Sequence, residues 1–126
     1  MTKKPKILWT TQTHNWVGNA YGYNSHNSNM IRECRELFEF TADAPIALTI
    51  TPADQFVPVP GKINVLFTMF ETLDIPDSYV KNINKADVII VPSSFCKDIF
   101  LKYTDKPIYV CWEGVDPEKY PFHQRR

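Results

Sequence analysis

Four polar loops carry the residues of this chain that could do chemistry. Glu71 directly follows the apolar run Val65 to Phe70, in the stretch NVLFTMFETLDIP, with Thr72 beside it. A carboxylate at the end of a buried strand is partly desolvated, which raises its pKa and suits it to accept a proton from a substrate hydroxyl. The same carboxylate could equally accept backbone amides and hold its own loop. In ADVIIVPSSF, Ser93 and Ser94 stand where a helix begins, so either can cap that helix or help present its N-terminus to an anion. In PIYVCWEGVDPEKY, Glu113 and Gly114 open a turn that reads as requiring glycine. The loop from Thr10 to Tyr23 is rich in Asn, His, Tyr and Trp. Its Asn15, Asn19 and Tyr23 offer amides and an aromatic face to a sugar or other polyol, and Gly18 and Gly22 permit close backbone approach. A plain surface loop, whose Asn and Gly satisfy turn geometry, would have the same composition.

Other chemistries lack their residues. Gly18 and Gly22 do not have the GxGxxG spacing of a dinucleotide fingerprint, and no acidic residue closes the second apolar run, so a nicotinamide cofactor is not expected. There is no GxSxG, P-loop or HExxH, and His14, His26 and His123 have no ligand spacing among themselves. Cys34, Cys96 and Cys111 are odd in number, widely spaced and set in apolar patterns, so they read as reduced core thiols and no bound metal is expected.

The elements that must position these loops are legible as alternating patterns. Ile7 to Trp9 is a first buried strand, and Met30, Ile31, Cys34, Leu37 and Phe38 recur with helical spacing, with Asn27 or Ser28 as N-cap. Arg32 and Glu36 lie four apart on the opposite side. Ile46 to Ile50 is a second strand. TPADQFVPVPGK, with three prolines and a glycine, is a connector rather than a helix or an interior strand. Val65 to Phe70 reads as a strand covered on both faces. Pro76 starts a short helix reaching about Ala86, Val88 to Val91 is a fourth strand, Phe95, Ile99 and Tyr103 give a helix its apolar stripe, and Ile108 to Trp112 is a fifth strand. Strands alternating with helices predict an α/β fold: a doubly wound parallel sheet of about five strands in a three-layer sandwich, with all four loops on one edge.

Composition narrows the setting. The chain has 126 residues, 44% hydrophobic and 22% charged, which suits one domain able to bury roughly two-thirds of its unfolded surface. Fourteen basic residues balance 14 acidic ones, so nucleic acid is not an expected partner. No run reaches the roughly 18 apolar residues of a membrane span, and Ile7 to Trp9 is too short for a signal-peptide core, so a cytoplasmic protein is expected.

In order and spacing, LFTMFET…IP, VIIVPSSF and EGVDPEKYPF resemble the N-terminal, acceptor-side domain of family 4 retaining, nucleotide-sugar-dependent glycosyltransferases. The resemblance covers Asn64 to Phe122 well and Ile7 to Leu37 loosely. It implies the Rossmann-like half of the two-domain architecture called GT-B, spanning residues 1–120, with 121–126 as a linker towards an absent donor-binding domain. It further implies a cleft where Gly18 to Tyr23 lie near the acceptor and donor phosphates. Glu71 and Thr72 would face that cleft, Ser93 and Ser94 would cap a cleft-facing helix, and Glu113 to Asp116 would lead into the hinge.

The implied reaction moves a sugar from a nucleotide sugar to a carbohydrate or glycoconjugate hydroxyl with retention, without a tightly bound cofactor. The sequence departs from the family in its separated glycines and in having Phe70 and Glu71 where many relatives have a histidine. It also has no Glu-x7-Glu pair and no Arg/Lys pair suited to the diphosphate, so the chain alone is expected to be inactive. A homodimer is one expected way to cover the surface left by a missing domain. The rival reading is a non-catalytic module that binds a glycan, nucleotide or protein, with a flavodoxin-like or nucleotide-binding regulator as a third.

Overall fold

The computed structural model of the chain describes residues 3–10, 21–70, 72–114 and 118. Among these residues the order of elements is β1 (Lys6–Trp9), α1 (Tyr21–Cys34), β2 (Glu39–Phe40), β3 (Ile46–Ile50), a 3-10 turn (Ala53–Gln55), β4 (Ile63–Phe67), α2 (Asp77–Ile83), β5 (Val88–Val91), α3 (Ser94–Phe100) and β6 (Ile108–Val110). The strands form one sheet in the order β2-β1-β3-β4-β5-β6, and every pairing is parallel. The longest ladder runs from Ile46 opposite Ile63 to Ile50 opposite Phe67.

The strands are apolar at successive positions because helices cover both faces of the sheet. On one face α1 packs Met30, Ile31 and Cys34 against Ile7, Trp9, Leu48, Ile50 and Phe67. On the other, α2 and α3 bring Ile83, Cys96, Ile99 and Phe100 against Leu66, Ile89, Val91 and Ile108. Each such side chain, fully buried, stabilises the fold by about 1.5–3 kcal/mol. This is the expected Rossmann-like three-layer α/β fold.

Its details differ from the expectation at several elements: α2 stops at Ile83 with Pro76 as its N-cap, α3 stops at Phe100 before Tyr103, and Leu37 and Phe95 are exposed rather than part of apolar stripes. A sixth strand is present: β2 has only two residues, too few to show a period, and is fixed by Glu39 N–H donating to the Pro5 carbonyl and Thr41 N–H to that of Ile7, at 2.9 and 3.0 Å. The strands β4 and β6 stop at Phe67 and Val110, so Thr68 to Phe70 and Cys111 to Trp112 run past the ladder. Helix α1 begins at Tyr21, so Asn27 and Ser28 are interior residues and not caps, and Gly22 and Tyr23 belong to the helix rather than to the preceding loop.

Asn27 explains the early start of α1. Gly22, Asn24, Ser25 and Ser28 are indifferent or poor helix formers, so tertiary bonds must hold this turn. Asn27 is fully buried; its Nδ2 donates to the Ile50 carbonyl and its Oδ1 accepts from Trp9 Nε1, both at 3.0 Å. One side chain thus ties the helix to β1 and β3. At the other end of the sheet, buried Asn64 accepts from Val59 N–H at 2.8 Å and donates to the carbonyls of Val59 and Lys62 at 3.0 Å, fastening the proline-rich connector. That connector holds Gly61, with a φ of 76°, the positive value that glycine tolerates best.

Candidate functional site

After β1 the chain moves to β2 on one side, then returns to β3 on the other. Such a reversal opens a crevice at the carboxyl ends of β1 and β3, the usual ligand position in open parallel sheets. Here the Thr10 and Thr49 hydroxyls meet at 2.5 Å, and Thr10 also bonds the Leu48 carbonyl through both N–H and Oγ1. Buried Thr51 and Thr68 extend β3 and β4, their amides donating to Phe67 and Ile90 carbonyls.

Helix α1 places His26 beside this crevice. The imidazole stands edge-on to Phe67, with ring centroids 4.5 Å apart, and its buried Nδ1 lies 3.3 Å from Oε1 of Glu113 without hydrogen-bond geometry. Burial lowers the His26 pKa, and the Glu113 carboxylate, which pulls it upward, only partly offsets that. Burial thus favours the neutral form of the His26 imidazole, which lies beside the Glu113 side chain.

The other carboxyl-edge loops are held by local bonds. Ser93 caps α3 by accepting from Cys96 N–H at 3.2 Å, whereas Ser94 is the exposed first residue of the helix. Cys96 Sγ donates to the Phe70 carbonyl at 3.3 Å, linking the segment after β4 to α3, and Phe70 meets Tyr79 of α2 edge to face at 4.8 Å. Exposed Thr72 donates to the Asp74 carbonyl at 3.0 Å and closes its loop.

The structure therefore brings these residues to one edge of the sheet, Thr72 after β4, Ser93 and Ser94 after β5, and Glu113 and Gly114 after β6. Gly22 and Tyr23 lie in the first turn of α1. Asn15, Gly18, Asn19 and Glu71 lie outside the described residues. Gly114 does not need to be glycine: its φ is not positive, and a Cβ built there meets nothing within 4 Å. Cys111 is exposed rather than in the core, while the half-buried Cys34 has its thiol pKa raised by burial, then by Cys111 and Glu33. Among the described residues no group of three or more His, Cys, Asp or Glu side chains could hold a metal ion.

Spacing among the three histidines gives no sign of where His26 lies. The available signal was helical: His26 and Met30, like Asn27, Ile31 and Cys34, recur at the spacing of one helix face. No family model, curated protein or solved structure matches the chain.

Proposed function

We propose that the chain is the acceptor-side half of a family 4 retaining glycosyltransferase, incomplete as a catalyst until joined by a donor-binding domain or subunit. The observation that carries this reading is the convergence of the segments of the family resemblance. The Thr72 loop, the Ser93 cap and the Glu113–Gly114 exit follow β4, β5 and β6, three adjacent parallel strands, and so leave the same edge of the sheet.

The same edge has a surface suited to a second body: Leu73, Phe95 and Trp112 are 64%, 53% and 75% exposed. Exposed apolar groups of this size favour a partner domain or a second copy of the chain. In this reading the donor is a nucleotide sugar, the acceptor a carbohydrate or glycoconjugate hydroxyl, and the groups stabilising the diphosphate come from the second domain. In the same reading Glu71 is the catalytic carboxylate, and Asn15, Gly18, Asn19, Gly22 and Tyr23 are assigned to acceptor binding. A cytoplasmic location goes with this reading.

The test is transfer from a panel of labelled nucleotide sugars to simple saccharide acceptors, by the chain alone and by the chain joined to a family 4 donor-binding domain. The reading expects no transfer alone, transfer with retained anomeric configuration when joined, and its loss in Glu71→Gln. Robust transfer by the chain alone, or an inverted product, contradicts it.

A further inference from the structure

A second concave feature lies at the opposite end of the sheet, below the amino ends of β1 and β2. The cleft encloses about 630 Å³ and is lined by Lys3, Lys4, Lys6, Arg35, Phe38 and Glu39. Small-molecule sites typically span about 300–1,000 Å³. We propose that it binds a phosphate-bearing small ligand, with Lys3, Lys6 and Arg35 on the phosphates and Phe38 as an apolar wall.

Charge is the first argument. The whole chain balances 14 basic against 14 acidic residues, yet this cleft sets four cations against one carboxylate, so the positive potential is local. The ion pairs among the described residues are His26 with Glu113 and Arg32 with Glu33, so none of the cleft's cations is neutralised by direct contact. Asp43 comes nearest to doing so: its carboxyl is held low first by the Thr41 hydroxyl and then by Lys6, but it remains fully exposed. With Glu39 on the wall and Asp43 near Lys6, the hollow still keeps a positive excess, which a multivalent anion offsets.

The end of α1 is the main opposing term. A helix C-terminus carries roughly half a negative charge, and α1 ends beside Arg35. Lys4 Nζ covers part of it by donating to the Arg35 carbonyl at 3.4 Å, and the Leu37 and Phe38 amides take the Cys34 carbonyl. These bonds offset part of the negative end of the helix beside the hollow. Arginine's planar fork suits two phosphate oxygens, and the lysines supply point charges.

A compact ligand fits better than a polyanion. Glu39 sits on the wall itself, and Glu36 and Asp43 lie close in sequence to Arg35 and Glu39, so an extended nucleic acid or an anionic membrane plane would meet carboxylates as well as lysines. Half-buried Phe38 gives an aromatic or apolar part of the ligand somewhere to lie.

The test is titration of the full chain with inorganic phosphate, pyrophosphate, a nucleoside diphosphate and phosphatidylglycerol vesicles, followed by calorimetry and amide spectra. Pyrophosphate and the nucleoside diphosphate should saturate one site, shift residues 3–6 and 35–39, and bind less tightly as salt rises. The Lys6→Glu/Arg35→Glu pair should weaken binding by at least about tenfold, and the milder Lys6→Gln/Arg35→Gln pair by less, with far-ultraviolet circular dichroism confirming the fold of both. A control pair on α3 and beyond it, Lys97→Glu/Lys102→Glu, should leave binding unchanged. The proposal falls if no soluble phosphate saturates, if the shifts lie at the carboxyl edge, if the control pair weakens binding equally, or if only vesicles bind.

Discussion

The two edges of the sheet handle polar groups in opposite ways. At the carboxyl edge the described polar side chains bond to each other or to nearby backbone: Ser93 to Cys96 N–H, Thr72 to the Asp74 carbonyl, Thr10 to Thr49, and His26 lies against Glu113. At the amino edge Lys3, Lys4, Lys6 and Arg35 outnumber the single carboxylate of Glu39 around a hollow, and two lysines bond to backbone, Lys4 to the Arg35 carbonyl and Lys62 to the Ala42 and Ala44 carbonyls. The difference teaches what each edge can recognise. On the proposed readings the hydroxyl-rich edge takes an uncharged polyol and the cationic hollow takes an anion.

The largest expected effect concerns the asparagine that builds the carboxyl edge. Asn27→Leu strands the Trp9 indole N–H in the core and removes two buried hydrogen bonds, so it should lower stability by about 3 kcal/mol. Its counterpart at the amino edge, Asn64→Leu, frees the Val59 N–H in a part-buried loop that water can reach, and should cost about 2 kcal/mol. Urea unfolding of both variants checks the order. If Asn64 proved the costlier, the amino edge and not the carboxyl edge would be the more tightly specified end.

A smaller effect separates the adjacent serines. Ser93→Ala removes a helix cap and should cost about 1 kcal/mol, while Ser94→Ala, at an exposed position in the first turn, should be nearly neutral. Equal losses in thermal unfolding would show that the two serines share the cap.

The smallest effect is a pH dependence with a definite sign. Burial holds the folded-state pKa of His26 below its ordinary value of 6.5, so the unfolded chain takes up the proton first. The contribution of His26 to stability is therefore complete above pH 6.5 and declines as pH falls below it. His26→Gln should flatten that part of the stability profile. An unchanged slope in the variant would move the effect to another group.

Much of this was legible in the sequence, and the exceptions have physical causes. Ile46 to Ile50 and Val88 to Val91 coincide with β3 and β5 because continuous apolar runs have no other home in an α/β protein. The Ser93 cap was one of two alternatives, and backbone geometry chose between them. The start of α1 was hidden because its residues disfavour helix locally and are held by Asn27, a partner at long range in sequence. The His26–Glu113 pair joins residues far apart in the chain, and no spacing rule reaches across that distance. The amino-edge hollow was masked by a net charge of zero, an average that hides local excess.

The most direct test of the carboxyl edge as the acceptor site is residue-resolved amide spectroscopy of the chain titrated with a panel of disaccharides. The account predicts saturable shifts at Thr72, Ser93, Ser94, Glu113 and Gly114, with residues 3–6 and 35–39 unmoved. Shifts confined to the amino edge, or none at those five residues for any saccharide, would contradict it.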